Sequence, residues 1–248
     1  MEAGSEQVRI NAVIQARTGS SRLPGKVLRD LGGRPVLDRV VTAARTAPGV
    51  DEVVVATSTA TGDDAVADRA AELGVRVVRG SEDDVLDRFV RAADEHPCDA
   101  VVRLTADCPL LDPELIGLVA ATWRNAPEHD YVASTLVRTL PRGLDVELAT
   151  VAALRDLATT ATGHDRIHVT SGLYAEPERF RCLGIVVAPA ANDLRVTLDT
   201  ADDLQALQGL VELLSDRTDW RSVVSVLRSH PELVALNAHV RQKSLAEG

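Results

Sequence analysis

Short, mainly apolar and β-branched runs recur along this chain, with helix-periodic stretches between them. Such runs stand at residues 10–15 (Ile-Asn-Ala-Val-Ile-Gln), 53–56 (Val-Val-Val-Ala), 75–78 (Val-Arg-Val-Val) and 100–104 (Ala-Val-Val-Arg-Leu). Behind Pro35, the residues Val36, Leu37, Val40, Val41 and Ala44 share one helical face. Similar spacing covers 63–73, 84–94 and a stretch that starts after Pro113. Strands that are apolar throughout are buried on both faces, and strand–helix–strand alternation then requires a mainly parallel sheet with helices on both sides. The expected fold is therefore α/β, a Rossmann-like mixed sheet.

Beyond about residue 131 the pattern loosens. Strands are expected at 131–133, 146–148, 182–187 and 194–198, helices at 151–159 and 166–174, and a mostly helical tail over 201–240. No repeat, low-complexity tract or linker divides the chain, so residues 1–248 are expected to form a single domain. Within it, 1–127 reads as one half, 128–190 as a lobe and 191–248 as a closing segment.

Composition excludes several functions. Hydrophobic residues at 45% suffice for a core and rule out a disordered chain. The 27 Lys and Arg against 37 Asp and Glu leave a net charge of −10, which disfavours nucleic-acid backbones, since these need clustered cations. Two each of Phe, Tyr and Trp are too few for base-stacking platforms. An anionic ligand must therefore meet a local basic site. Cys98, Cys108 and Cys182 are odd in number with no CxxC spacing, which argues against disulfides or structural zinc and for a reducing compartment. Residues 1–7 are polar, and no apolar run approaches the ~20 residues of a membrane span. A cytoplasmic location without membrane partners is expected.

The first strand leads into Gln15-Ala16-Arg17-Thr18-Gly19-Ser20-Ser21-Arg22-Leu23-Pro24-Gly25-Lys26. Open α/β sheets bind ligands at the carboxyl ends of their strands. Small residues let backbone N–H groups approach an anion, while Arg and Lys add charge-assisted hydrogen bonds. Five residues separate Gly19 from Gly25 and Val27 follows the Lys, so this is not a Walker A loop. On composition alone it also reads as a solvated turn.

The run from Ile14 to Leu28 resembles the signature loop of the cytidylyltransferases that activate keto-deoxyoctulosonate and sialic acid as CMP derivatives. It is most similar to the spore-coat polysaccharide biosynthesis protein F-like members, which carry Gln before Ala-Arg. The resemblance returns at Asp84-Val-Leu-Asp-Arg-Phe89, Leu104-Thr-Ala-Asp-Cys-Pro-Leu-Leu-Asp-Pro113 and Gly143-Leu-Asp-Val-Glu147. It continues at Arg166-Ile-His-Val-Thr170 and Arg195-Val-Thr-Leu-Asp-Thr-Ala-Asp-Asp-Leu204.

The resemblance implies a nucleotide-diphospho-sugar transferase-like fold and transfer of CMP from CTP to an anionic acceptor, with pyrophosphate released. Residues 1–127 would bind the nucleotide through Gln15, Ala16, Arg17, Gly19, Ser20, Ser21, Arg22, Lys26 and Arg88. Lys26, Arg22 and Asp107 would be catalytic, and Asp107 and Asp199 would hold Mg²⁺, a cation that takes one or two carboxylates plus phosphate oxygens and water. The lobe at 128–190 would bind the acceptor through Asp145, Glu147, Arg166 and His168, within a charged stretch that also holds Arg138, Arg142 and His164. The final segment would carry the metal-site strand and the C-terminal helices. Relatives form homodimers, so a homodimer is expected.

His164 and His168 lie four apart, but Asp165 replaces the Glu of a zinc-protease motif. The family's Arg-Glu-His appears as Arg166-Ile167-His168. The acceptor stays open among sugar acid, phosphonate and phosphate. A sugar-phosphate nucleotidylyltransferase using another nucleotide, or an inactive nucleotide-binding regulator, are the alternatives.

Overall fold

The computed structural model describes residues 8–214 and 219–241; the readings made at 1–7, at 215–218 and at 242–248 fall outside them. Seven strands form one sheet: β1 (Ile10–Gln15), β2 (Glu52–Ser58), β3 (Arg76–Gly80), β4 (Ala100–Thr105), β5 (Tyr131–Ala133), β6 (Glu147–Thr150) and β7 (Cys182–Gly184). Their order is β3-β2-β1-β4-β6-β5-β7. β1 lies parallel to β2, with Val13 opposite Val54, and parallel to β4, with Ile14 opposite Leu104. β6 alone runs antiparallel to its neighbours β4 and β5. The chain moves outward from β1 to β3, then returns to the far side of β1 with β4. A crevice therefore opens between the ends of β1 and β4, the switch point where open α/β sheets place ligands.

Alternate strand residues feed two cores. Ala12, Ile14, Val55, Val102 and Leu104 pack with α1 (Val36–Thr46), α4 (Pro113–Asn125), α8 (Ala201–Leu214) and α9 (Trp220–Ser229). Val13, Val54, Ala56 and Val101 pack with α3 (Val85–Glu95) and α5 (Val151–Thr160), through Leu86, Phe89, Leu154 and Leu157. Each such large side chain contributes about 1.5–3 kcal/mol by leaving water. Core formation thus explains why both faces of the central strands are apolar. The remaining α-helices of the described residues are α2 (Asp64–Glu72), α6 (His164–His168), α7 (Ser171–Ala175) and α10 (Pro231–Asn237). No described helix is long and apolar enough to cross a membrane.

Helix starts follow local chemistry. Asp112 caps α4 by accepting the Glu114 N–H at 2.8 Å, with Pro113 in the first turn. Its other oxygen accepts the Trp220 N–H at 2.9 Å, so one side chain starts α4 and fastens α9.

Three expected elements differ. Residues 194–198 are extended but form no ladder: the Val196 N–H donates to the Arg142 carbonyl and the Leu198 N–H to that of Asp107. Those acceptors lie on different segments, so among the described residues no single strand pairs with this run and it forms an Arg142–Arg195 bridge instead of a ladder. The expected strand at 182–187 ends at Gly184, where its partner β5 also ends. The expected helix at 166–174 breaks into α6 and α7 at Val169, whose φ is +62°. The Thr170 N–H bonds the His168 carbonyl across Val169 at 2.6 Å. This is a strained γ-turn, uncommon for a β-branched residue.

Candidate active site

Two cavities adjoin at the carboxyl ends of β1 and β4. The first, about 240 Å³, is lined by Gln15, Arg17, Gly19, Ser20, Ser21, Arg22 and Lys26, with Asp107 and Asp199 opposite. The second, about 410 Å³, is lined by Arg103, Arg138, Arg142, Asp145, Glu147 and Thr170 among others. Thr105 and His168 line both. The γ-turn at Val169 thus sits between two cavity-lining residues, where strained backbone is often found.

The loop over the first cavity is built on Asp63, a residue sequence reasoning took only as a helix start. Its buried carboxylate accepts the Thr18 N–H at 2.6 Å, the Thr18 hydroxyl at 2.7 Å and the Ser58 hydroxyl at 2.5 Å. Burial opposes ionisation, but these donors hold the carboxyl below its ordinary range. The Thr18 carbonyl then accepts the N–H groups of Ser20 and Gly25. Gly25, at φ +68°, turns the chain so that Lys26 points inward.

Lys26 Nζ donates to Asp107 Oδ2 at 2.6 Å and to Asp199 Oδ1 at 2.7 Å. Burial disfavours the ammonium, yet the two carboxylates raise its pKa. Asp199 also pairs with Arg22 at 3.0 Å and Arg195 at 2.7 Å. Arg195 is in turn held by buried Asp203 at 2.8 Å. Burial works against the Asp199 carboxylate, but Lys26, Arg195 and Arg22 prevail and lower its pKa to about 2.

Two carboxylate oxygens facing one cation form a hard, anionic donor set of the kind Mg²⁺ takes. Among the described residues no group of three or more His, Cys, Asp or Glu could hold a metal. A cation here therefore needs oxygens from a ligand or water to complete its shell, and the residues fit a metal that arrives with phosphate.

In the second cavity, Glu147 is saturated internally. Arg103 pairs with it through one oxygen, and the Tyr131 and Thr170 hydroxyls donate to the other. Burial would raise the Glu147 pKa, but Arg103 and the two hydroxyls hold it down. Arg103 also donates to the Gln15 side-chain oxygen at 3.2 Å, which links the two cavities. Arg138 makes a two-pronged pair with Asp145, its second bond at 3.2 Å.

Some sequence-derived site residues lie elsewhere. Arg166 lines neither cavity: its Nε donates to Asp84 at 2.7 Å and its Nη1 to carbonyls of α5 and the following turn. It staples that corner to the cap of α3. Arg88 is fully buried, with Nη1 3.5 Å from the Ala56 carbonyl, and reaches neither cavity. Ala16 is buried under the loop, its N–H bonded to Ala56, and His164 pairs with Asp165 at the surface. Sequence reasoning missed Arg103, although a charge inside an apolar strand was a visible signal. Arg195, also a charge within an expected strand and the head of a matching motif, was likewise not singled out, whereas Asp63 carried no comparable mark.

A cationic loop and paired carboxylates at the switch point of a mainly parallel sheet define a nucleotidyltransferase of the α/β class. The comparisons narrow that class. The cytidylyltransferase family profile matches residues 11–164, and the chain belongs to the cytidylyltransferase family. The spore coat polysaccharide biosynthesis protein SpsF of Bacillus subtilis is 32% identical over 232 residues, covering 89% of this chain and 94% of that one. The solved structure of a cytidylyltransferase from Leptospira borgpetersenii superposes with a TM-score of 0.88 at 26% identity, covering 96% of this chain and 99% of that one. A CMP:2-keto-3-deoxy-manno-octonic acid synthetase solved with CTP shares the fold, with a TM-score of 0.65 at 19% identity over 82% of this chain and 98% of that one.

Proposed function

We propose that this protein transfers CMP from CTP to an anionic acceptor and releases pyrophosphate. The observation that carries the reading is the junction of the two cavities at Thr105 and His168. A triphosphate in the first would present its α-phosphorus toward an acceptor in the second. Membership of the cytidylyltransferase family supports CTP as the donor.

Residues 1–127 form the nucleotide half in this reading. Gln15 lies toward the base and ribose, Ala16 and the buried Arg88 act from beneath the loop without lining the cavity, and Arg17, Gly19, Ser20, Ser21, Arg22 and Lys26 receive the phosphates. An acceptor oxygen attacks the α-phosphorus, the bond from that phosphorus to the bridging oxygen breaks, and the electron pair leaves with pyrophosphate. Lys26 and Arg22 stabilise that departing charge, the main demand in phosphoryl chemistry. Mg²⁺, held by Asp107 and Asp199, would neutralise phosphate oxygens and make the phosphorus more electrophilic.

In the lobe at 128–190, His168 faces both ligands, Asp145 acts by holding Arg138, and Glu147 by holding Arg103. Arg166 acts at a distance, by fixing the corner before His168. The homodimer implied by the resemblance belongs to the same proposal, and light scattering reads it.

The test is pyrophosphate release from each nucleoside triphosphate over neutral sugars, sugar acids, sugar phosphates and phosphonates. Release from CTP with an anionic acceptor is expected; preference for GTP or UTP, or efficient transfer to neutral sugars alone, overturns the reading. Asp107→Asn and Asp199→Asn should each abolish Mg²⁺-dependent activity, and an unchanged Mg²⁺ titration in both removes the carboxylate pair from the scheme.

A further inference from the structure

We propose that the Arg142 guanidinium is the docking point for the acceptor's anionic group, while Arg103 and Arg138 shape the cavity without binding that charge. The inference rests on reading the larger cavity as the acceptor site. Three guanidinium groups line it. Arg103 is committed to Glu147 and Gln15, and Arg138 is committed to both oxygens of Asp145. Arg142 has no ion-pair partner among the described residues.

The surroundings sharpen that contrast. Burial, Arg138 and Arg195 all press against the charge on Arg142 and lower its pKa. Asp145 and Asp199 attract it from a distance, but each is already taken, Asp145 by Arg138 and Asp199 by Lys26, Arg22 and Arg195. On its other side Arg142 borders a smaller cavity of about 210 Å³. The carboxylate there, Asp193, is engaged by Arg228. A half-buried cation crowded by like charges and lacking a counterion gains most from an incoming anion.

The backbone that carries Arg142 is fixed. Its N–H donates to the Leu194 carbonyl at 3.0 Å, and its carbonyl accepts the Val196 N–H at 2.7 Å. Gly143 follows at φ +103°, and a Cβ there would meet the Thr197 backbone nitrogen at 2.6 Å. Only glycine permits this close approach, so Arg142 is held on a rigid segment against the extended run that leads to Asp199. A planar guanidinium so placed recognises a carboxylate or a phosphoryl group through two parallel hydrogen bonds. With the other pairs internally neutral, the cavity favours an acceptor that brings a single anionic group.

The experiment follows arginine Nε–Hε signals by NMR in the full chain, titrated with acetate or methylphosphonate against a chloride control. The Arg142 signal is assigned by its loss in Arg142→Lys. At least one probe should shift that signal saturably, and Arg142→Gln should weaken binding of that probe by about tenfold or more, as expected for a charge-assisted contact. Arg142→Lys, which keeps the charge but not the fork, should fall between the two. An Arg142 signal that neither probe moves, or affinity unchanged in Arg142→Gln, overturns the assignment. A separate CTP titration read at Arg22 tests the nucleotide reading: an unmoved Arg22 signal would count against that reading and leave the Arg142 result standing.

Discussion

The two cavities share Thr105 and His168 but are assembled differently. The first cavity draws most of its wall from one contiguous loop, residues 15–26, closed by two aspartates from other segments. The larger cavity draws its wall from β4, β6, the 135–145 segment and the α6–α7 corner. Their electrostatics differ as well. In the first, cations and carboxylates are shared: Lys26 bridges two aspartates, and Asp199 serves three cations. In the second, Arg103–Glu147 and Arg138–Asp145 are separate pairs, with Arg142 left over. A shared network can exchange partners when a polyanion arrives. A set of closed pairs instead keeps its shape and offers one charge.

If the larger cavity depends on closed pairs, breaking one should damage the fold itself. Glu147→Gln removes the partner of a nearly buried Arg103, and such a loss typically costs ~3–5 kcal/mol. Denaturant unfolding should show that loss, and a change under ~1 kcal/mol would dissolve the distinction between the cavities. Lys26→Ala tests the opposite character. It should leave the protein folded, with a stability loss of about 1–2 kcal/mol from the unpaired carboxylates, and lower turnover by ~10²–10³, the usual effect of losing a group that meets departing charge. Steady-state kinetics with thermal melting separates the two outcomes, and near-normal turnover in a folded variant would take the loop out of the chemistry.

Acidification probes the shared network. Because the Asp199 pKa is lowered in the folded state to about 2 from 3.8, its contribution is complete above pH ~4. It is lost as the pH falls through about 2. That shift corresponds to ~2 kcal/mol. Asp199→Asn should remove this part of the acid dependence, as measured by denaturation between pH 5 and pH 2, whereas a parallel profile would deny Asp199 its role as hub. The smallest effect is expected at the loop's anchor. Asp63→Asn should weaken the bonds to Thr18 and Ser58 and cost ~1–2 kcal/mol, while raising hydrogen exchange at Thr18 more than anywhere in the larger cavity.

The difference in construction also explains what could be read in advance. The sequence by itself determined the central parallel sheet, since strands apolar on both faces must be covered on both faces. It also determined the loop's cationic character, because Arg17, Arg22 and Lys26 are neighbours in the chain and their density stands out against a charge of −10. Asp107 and Asp199 were legible through short motifs at strand-like ends, although the segment before Asp199 pairs with no strand. The larger cavity was legible only as a stretch rich in charge.

Tertiary structure alone decided which of those charges face inward. Arg166 turns to Asp84, 82 positions away in the chain, and Arg103 meets Glu147 across the antiparallel β4–β6 ladder. Neither local propensity nor spacing specifies such partners. The choice between solvent, ion pair and open cavity depends on what packing brings within about 4 Å, where Coulomb attraction outweighs desolvation only for particular neighbours. The break at Val169, which sets His168 at the junction, arises in the same way: no local preference puts a valine at positive φ, and only the surrounding packing holds it there.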